Sequence, residues 1–163
     1  MGIDSSLETA FQLAEKEKFK DAIAVCSEVI KKNESSYKAY NKRAHIYARM
    51  GEWDKALNDI EKTIELNPQE PAHYFSRARW LINTEKYQDA IIDLTKVIEL
   101  EKDNKDYYYL ESTYFLRSYA FHQVGEFDFA IKDLSRVRHD FSLFFSGRIQ
   151  SKKELLRTCK MRR

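Results

Sequence analysis

The chain has 163 residues, of which 43% are hydrophobic and 33% are charged, and its formal net charge is +2. These values allow one folded domain of ordinary composition, and the small net charge gives no general attraction to a polyanion. Because the chain contains only four glycines and two prolines, its composition favours a mostly helical structure with short turns.

Three pairs of predicted helices occupy the first two thirds of the chain. In each segment, apolar residues recur at helical spacing along one face. Pro68 ends the fourth helix because proline has no amide hydrogen to donate, whereas Pro71 suits the first turn of the fifth helix. The helices are predicted near residues 4–17, 20–32, 37–50, 53–66, 71–84 and 87–100.

A fourth helix pair follows a six-residue insert, Lys105–Leu110, which includes three consecutive tyrosines, Tyr107–Tyr109. No residue from 106 to 124 breaks a helix, so the first helix of this pair is predicted to be lengthened. With a rise of 1.5 Å per residue, it would project about 9 Å beyond the other helices. The tyrosines would then pack on the preceding turn or contact a partner, and the sequence leaves their role open.

The C-terminal tail, residues 145–163, carries seven lysines and arginines but one glutamate. Ile149, Leu155, Leu156 and Cys159 form an apolar stripe between these basic residues, which predicts a helix from Arg148 onward. Such a helix is typically a cap that covers the apolar end of a stack of repeats.

The helix pairs form an internal repeat. Each second helix begins with an aromatic residue, two further residues and then Ala-Leu or Ala-Ile. The four alanines, Ala22, Ala56, Ala90 and Ala130, lie 34, 34 and 40 residues apart. A spacing of 34 is the tetratricopeptide period, and a small residue at this position lets two helices cross closely.

On these motifs, residues 3–144 resemble the tetratricopeptide repeat family, as a small free-standing protein of that kind. The second repeat matches the family pattern best, through Tyr40, Ala44, Tyr47, Gly51, Trp53, Ala56, Ile64 and Pro68. The first repeat departs most, because no proline ends it. The resemblance implies an all-α fold, namely a right-handed α-solenoid of about four helix pairs plus a C-terminal capping helix.

The expected organisation follows the alanine register. It comprises repeat 1 at 3–36, repeat 2 at 37–70, repeat 3 at 71–104, repeat 4 at 105–144 with its lengthened first helix, and a basic capping helix at 145–163.

Arginine and aspartate also recur in this register. Arg43, Arg77 and Arg117 lie on the first helices of repeats 2 to 4, and Asp59, Asp93 and Asp133 follow 16 residues later on the second helices. Repeat 1 has Thr9 and Val25 instead and so lacks both residues together. This joint presence and absence predicts a structural ion pair within each of the three repeats.

The resemblance further implies that the first helices line a groove that binds a peptide or protein. Repeat 1 would contribute Asp4, Leu7, Glu8, Phe11 and Glu15 to it. The other predicted groove residues are Lys38, Asn41, Lys42, His45 and Arg49 in repeat 2, Phe75, Arg79 and Asn83 in repeat 3, and Phe115, Tyr119 and His122 in repeat 4. The middle would be basic and the C-terminal part aromatic, which favours an acidic partner segment with apolar anchors.

One subtype of the family binds the C-terminal carboxylate of chaperone tails through a Lys/Asn/Asn/Lys/Arg set. The matching positions here are Leu7, Phe11, Lys42, Ala72 and Ser76, none of which fits. Binding of that kind is therefore not expected.

The sequence contains no recognisable catalytic or metal-binding motif. The four histidines, His45, His73, His122 and His139, have no ligand spacing with one another or with cysteine. A glycine-rich phosphate loop and a Gly-x-Ser-x-Gly elbow are also missing. We therefore expect no catalytic residue, metal, cofactor or small-molecule substrate, and we expect that the protein is not an enzyme.

Three functions fit these features to different degrees. The first is a non-catalytic protein-interaction module that acts as an adaptor, co-chaperone or assembly factor. The second is an immunity or inhibitor protein that neutralises a toxin or enzyme by direct binding. The third is nucleic-acid binding through the basic C-terminal helix, which is disfavoured because Gly147 to Arg163 lacks aromatic stacking groups. Self-association is left open.

The two cysteines, Cys26 and Cys159, form no disulfide framework, which indicates a reducing compartment and predicts a cytoplasmic location. No signal peptide and no run of 18 apolar residues is present, so no membrane span is expected. The first residues match the N-myristoylation pattern weakly, and a simple helix start is favoured over lipidation of Gly2.

Overall fold

The computed structural model of the chain describes residues 2–102, 110–145 and 147–162. Within these residues the fold is all-α apart from one small hairpin. The elements in chain order are α1 (Ile3–Glu15), α2 (Phe19–Lys32), α3 (Tyr37–Arg49), α4 (Trp53–Leu66), α5 (Pro71–Asn83), α6 (Tyr87–Leu100), α7 (Leu110–Gln123), α8 (Phe127–Leu134), β1 (Ser142–Phe145), β2 (Arg148–Ser151) and α9 (Lys152–Arg162).

The predicted helices lie within a few residues of the observed ones through α6. The chain divides into two compact units, an N-terminal unit of residues 1–73 and a C-terminal unit of residues 74–163.

In the N-terminal unit, consecutive helices pack against each other, and α1 also contacts α3. Ala10, Ala22, Ala44 and Ala56 are fully buried where the helices approach each other. Their small side chains permit close contact between backbones, which explains the alanine at this position in each repeat. Larger side chains, such as Ile46 and Ile60, fill the rest of the core.

In the C-terminal unit, α7 packs against α6 and α8, and α9 packs on α7 and α8. Phe115, Leu116 and Leu134 are fully buried at the centre of this unit. Leu155 and Cys159 of α9 are also buried, so the predicted capping helix covers apolar surface as expected. Burial raises the pKa of the Cys159 thiol, which keeps it protonated and unreactive.

The start of the C-terminal tail differs from the prediction. The helix begins at Lys152 rather than Arg148, because Ser142–Phe145 and Arg148–Ser151 form an antiparallel hairpin in which Phe144 pairs with Ile149. One face of the hairpin places Phe145 and Gln150 in the interior, whereas Phe144 and Ile149 are exposed. This alternation is the period of a strand, and Gly147 at φ +75° supplies the turn. The prediction of a lengthened first helix, including Tyr107–Tyr109, concerns residues outside the described ranges, and α7 is described from Leu110.

The turns within the helix pairs use left-handed backbone at equivalent positions. Gly51 and Gly125 have φ values of +74° and +84°, and Glu17 and Glu85 have +58° and +60° at the corresponding positions. The repeat therefore requires this conformation even where the residue is not glycine.

The predicted arginine–aspartate pairs are confirmed. In all three repeats the arginine Nε and Nη2 donate to the two carboxylate oxygens of the aspartate, with distances of 2.7 to 2.9 Å. Asp59, Asp93 and Asp133 are between 2% and 4% exposed. Each pair therefore joins the two helices of a repeat by a buried bidentate contact.

Two of the arginines also reach the preceding helix. Arg43 Nη1 donates to Ser27 Oγ of α2 at 2.9 Å, and Arg117 Nη1 donates to Thr95 Oγ1 of α6 at 2.9 Å. Each of these arginines therefore bonds to side chains of both helices that flank its own in sequence.

We predict strong coupling between Arg43 and Asp59. Substituting Asp59→Val alone should cost about 3–5 kcal/mol, because the arginine keeps its half-buried charge without a carboxylate. The double variant Arg43→Thr/Asp59→Val carries the residues that repeat 1 has at these positions. Its free energy of unfolding should be about 1–3 kcal/mol higher than the value expected from adding the effects of the two single substitutions. Urea unfolding of the four proteins measures this coupling.

The exposed pair Lys62–Glu65 is the matched control, since its side chains are 44% and 58% exposed. Its coupling should be much weaker than that of Arg43 and Asp59, because water screens an exposed ion pair. Additive effects at Arg43 and Asp59 would show that the buried pair does not act as a unit.

Candidate protein-binding cleft

The N-terminal unit contains a cleft of about 560 Å³ between α1 and α3. We call it the α1/α3 cleft. It is lined by Asp4, Leu7, Glu8, Phe11, Ala14 and Glu15 of α1 and by Tyr37, Lys38, Asn41, Lys42, His45, Ile46 and Arg49 of α3.

All five residues predicted on α3 line this cleft. Positions 38, 41, 42, 45 and 49 follow the spacing i, i+3, i+4, i+7 and i+11, so they share one face of a helix. The neighbouring Arg43 and Ala44 face other directions, toward Asp59 and the core respectively. The helical period therefore separates residues that hold the fold from residues available to a partner.

Ion pairs join the two walls of the α1/α3 cleft. Lys38 Nζ lies 3.2 Å from Asp4 Oδ1, and Arg49 Nη1 lies 2.6 Å from Glu15 Oε1. In both pairs the side chains are largely exposed, so each contributes only about 0–1 kcal/mol. A partner carboxylate can therefore replace the α1 carboxylate at low cost.

Lys42 has a different environment. Its ammonium lies 4.7 Å from the centroid of the Phe11 ring, a cation–π geometry. Among the described residues no carboxylate is paired with it. The Phe11 ring is itself 44% exposed, so an apolar surface and a cation lie side by side.

The charge of the cleft is balanced rather than basic. Its lining includes three carboxylates, Asp4, Glu8 and Glu15, and three cations, Lys38, Lys42 and Arg49. The α3 wall supplies all of the positive charge and the α1 wall all of the negative charge. Any preference for an acidic partner would therefore have to come from the α3 wall.

Asn41 is oriented by a buried histidine. Its Nδ2 lies 3.0 Å from Nδ1 of His73, so Nδ1 accepts the hydrogen bond and the neutral ring carries its proton on Nε2. His73 is 5% exposed, and burial lowers the pKa of its imidazole below the ordinary value. His73 thus helps to hold one wall residue in place.

The C-terminal unit places its predicted groove residues in different environments. On α5, Phe75 is half-buried, whereas Arg79 and Asn83 are exposed. On α7, His122 is half-buried with its ring centroid 5.6 Å from that of Phe127. Burial lowers the pKa of His122, and the charge of Arg162 lowers it further.

The expectation for Phe115 and Tyr119 was wrong. Phe115 is fully buried and Tyr119 is 7% exposed. The ring of Phe115 packs against Phe141 and Phe145, and the ring of Tyr119 packs edge-on against Phe145 at 4.8 Å. The hairpin covers both residues, so they belong to the core of this unit and not to a binding surface.

Sequence reasoning missed Ala14, Tyr37 and Ile46 as lining residues, although all three lie one helical turn from predicted ones. It also missed the contact between Lys42 and Phe11. Both residues were assigned to the groove, but their distance depends on how closely α1 approaches α3, which no local pattern specifies.

The described ranges contain no group of three or more histidine, cysteine or acidic residues arranged to hold a metal ion. No helix within them is long and apolar enough to cross a membrane.

Residues 37–70 match the sequence model of the family described as tetratricopeptide repeat. This range is identical to predicted repeat 2. Among curated proteins, "Hsp70-Hsp90 organizing protein 1" of Glycine max is 37% identical over 65 residues. The aligned segment is 40% of this chain and 11% of that protein.

Solved structures share the fold at low sequence identity. A crystal structure of MamA has a TM-score of 0.73 and 19% identity, over 82% of this chain and 70% of that one. The TPR2B domain of yeast Sti1, in a complex with pHsp70, has a TM-score of 0.68 and 20% identity, over 74% and 97%. SycD of Yersinia enterocolitica, in complex with a peptide of YopD, has a TM-score of 0.68 and 16% identity, over 74% and 93%.

The chain therefore carries a tetratricopeptide repeat at residues 37–70 and has the fold of tetratricopeptide-repeat proteins. The predicted resemblance to this family is confirmed.

We predict that stability falls with acidification, partly through His73. Because its pKa is lowered on folding, the unfolded chain binds a proton below its ordinary pKa of 6.5 that the folded chain does not bind. The contribution to stability is complete above pH 6.5 and is lost progressively as the pH falls from there through the lower pKa of the folded state. His122 contributes with the same sign.

The variant His73→Gln tests this, because a glutamine oxygen can accept from Asn41 and does not titrate. Urea unfolding from about pH 7.5 to about pH 5 should show a smaller loss of stability in the variant. An identical loss in both proteins would mean that His73 does not carry the effect.

Proposed function

We propose that the protein is a non-catalytic interaction module whose α1/α3 cleft binds an extended segment of a partner protein. The observation that carries this proposal is the cleft itself, in which the exposed ring of Phe11 lies beside Lys42. Pockets of this size, with apolar surface and a few polar groups, are typical binding sites.

The partner segment is proposed to combine an apolar anchor with a carboxylate. The anchor would pack on Phe11, and the carboxylate would pair with Lys42, which has no carboxylate partner among the described residues. At the ends of the cleft, Lys38 and Arg49 can exchange their exposed α1 partners for carboxylates of the bound segment. Asn41 and His45 supply polar groups between these points.

Within the C-terminal unit, Arg79 and Asn83 of α5 and His122 of α7 are proposed as partner contacts of that unit by itself, and Phe75 of α5 is proposed as a partly buried apolar contact. Phe115 and Tyr119 are not included, because the hairpin covers them.

The fold neighbours support this mode of binding. The yeast Sti1 domain is in a complex with pHsp70, and SycD is in complex with a peptide. By analogy we propose an adaptor, co-chaperone or assembly role in the cytoplasm. Because Leu7, Phe11 and Lys42 differ from the carboxylate-binding set of the chaperone-tail subtype, we propose recognition of an internal segment rather than a C-terminal tail.

The two other functions have less support. Neutralisation of a toxin or enzyme would use the same cleft. It stays an alternative, because only the identity of the partner distinguishes an inhibitor from an adaptor. Nucleic-acid binding through the C-terminal helix has less support, because burial of Leu155 and Cys159 explains the helix as a cap and its exposed basic face carries no aromatic group on which a base could stack.

Selection of displayed random peptides against the wild-type protein tests the proposal. We expect enrichment of acidic residues next to an aromatic or aliphatic residue. In the variant Lys42→Glu the acidic preference should disappear, and selected wild-type peptides should bind at least about tenfold more weakly, because attraction becomes repulsion. Phe11→Ala should also lower the affinity for these peptides, because the apolar contact is lost.

Lys31→Glu provides a matched control, since Lys31 is exposed on α2 and does not line the cleft. This variant has the same charge change and should select the same peptides as wild type. If Lys42→Glu behaves like Lys31→Glu, the assignment of the cleft is wrong.

A further inference from the structure

The C-terminal unit contains a pocket of about 520 Å³ that is bordered by the end of α6, the start of α7 and the segment after α8. Ile98 of α6 and Leu110 and Tyr114 of α7 give it apolar walls. We call it the Glu101 pocket, after the residue that follows α6 and also lines it. Its described lining shares no residue with the α1/α3 cleft, so the function proposed for the cleft does not account for it.

Glu101 is an acidic residue in an interior position. Its exposed fraction is 4%, and its Oε2 atom is enclosed without a hydrogen-bond partner among the described residues. A buried carboxylate oxygen that loses its hydrogen bonds to water and gains none from the protein costs free energy. The wall of the pocket therefore holds an unused hydrogen-bond acceptor.

The repeat itself does not require an acid at this position. Glu101 lies 34 residues after Asn67, which lies 34 residues after Asn33. Each of the three residues directly follows the second helix of its repeat. Asn67 is half-buried, Asn33 is exposed, and both are neutral. The buried carboxylate is therefore a feature of this pocket and not of the repeat pattern.

One basic residue of the pocket is already paired with another acid. Arg138 Nε donates to both carboxylate oxygens of Glu111, at 2.9 and 3.0 Å. The backbone amide of Arg138 donates to the same carboxylate at 2.6 Å. Because Glu111 neutralises Arg138, this pair supplies no net charge to Glu101.

Two further cations line the pocket at its surface. The guanidinium of Arg136 lies 5.3 Å from the centroid of the Tyr114 ring, a cation–π contact. Arg136 and Lys102 are both exposed, and within the described part of the chain neither forms an ion pair with Glu101. Water screens the charges of exposed groups but not that of a buried one. The charge of Glu101 therefore dominates the interior of the pocket.

We propose that the Glu101 pocket binds an organic cation, namely an ammonium or guanidinium group on a short aliphatic stem. The cationic head donates a charge-assisted hydrogen bond to the Glu101 carboxylate. The last torsion of a glutamate side chain is broad, so the carboxylate can turn its enclosed oxygen toward the head. The stem packs on Ile98 and Leu110. A lysine or arginine side chain of a partner protein and a free polyamine share this chemistry.

Isothermal titration calorimetry of the full chain with cadaverine and agmatine tests the proposal. The wild-type protein should bind both cations with a Kd of about 0.1 to about 1 mM, as expected for ligands of this size. Pentane-1,5-diol has the length of cadaverine but no charge. It should not bind measurably at the same concentrations, because it cannot form the charge-assisted bond.

The variant Glu101→Gln keeps the size of the side chain and removes its charge. It should bind both cations at least about tenfold more weakly than the wild type. Glu99→Gln is the matched control, since Glu99 is exposed on α6 and does not line the pocket. This control has the same charge change and should bind the cations as the wild type does.

Urea unfolding without a cation separates binding from a structural role of Glu101. Because Oε2 has no partner among the described residues, Glu101→Gln should not lower the urea midpoint. Arg136→Gln should also leave the midpoint unchanged, and it should tighten cation binding about twofold because a like charge is removed. If Arg136 pairs with Glu101 in solution, both variants will instead lower the midpoint.

Blocked amino acids distinguish the two sources of the cation. If N-acetyl-lysine methylamide and N-acetyl-arginine methylamide bind at least as tightly as cadaverine and agmatine, the pocket receives a side chain of a partner protein. Weaker binding of the blocked amino acids would assign the pocket to a free polyamine.

Four results would overturn the proposal. The first is that no cation binds up to about 10 mM, and the second is that pentane-1,5-diol binds as tightly as cadaverine. The third is that Glu101→Gln binds the cations as the Glu99→Gln control does. The fourth is a urea midpoint that falls in both Glu101→Gln and Arg136→Gln, which would make Glu101 a structural partner of Arg136.

Discussion

The bidentate arginine–aspartate pair is the contact on which the geometry of the repeats depends. It joins the two helices of a repeat through two parallel hydrogen bonds, and in Arg43 and Arg117 the remaining nitrogen binds the preceding helix. Burying such a pair has a desolvation cost that offsets much of its attraction, so it is weak evidence for stability alone. Our interpretation is that it fixes how neighbouring helices are aligned. The fully buried alanines then allow the backbones to approach.

This alignment gives neighbouring residues separate roles. Arg43 is directed toward Asp59, whereas Lys42, the preceding residue, lies over Phe11 in the α1/α3 cleft. Both are cations on one helix, but successive residues of a helix differ by about 100° in direction. A mutation of Arg43 would therefore act on folding, and a mutation of Lys42 on binding. Charge alone does not distinguish them, but the register does.

The sequence was informative wherever the 34-residue period applied. It predicted the helix pairs, the three buried ion pairs and the face of α3 that lines the cleft, because each follows from spacing along one helix or between equivalent positions. It did not predict the environment of Phe115 and Tyr119. Their burial depends on the hairpin of β1 and β2, where the period does not hold.

The hairpin had only one local signal, Gly147, which can adopt the left-handed turn. The apolar residues do not alternate along the sequence, since Phe144 and Ile149 are exposed and Gln150 is buried. The basic and apolar residues from Arg148 onward were instead assigned to a longer helix, so the second strand was not predicted. The pairing of Lys42 with Phe11 had no such signal, because it depends on the distance between two helices.

Placing a photoreactive amino acid at Phe11 in the native cell tests the binding function of the α1/α3 cleft most directly. The same group at Phe129, an exposed aromatic residue of the C-terminal unit, is the control. We predict that the Phe11 probe becomes attached to one short segment of one partner protein and that the Phe129 probe does not. Attachment of the same products at both positions, or at Phe129 alone, would contradict a binding site in the cleft.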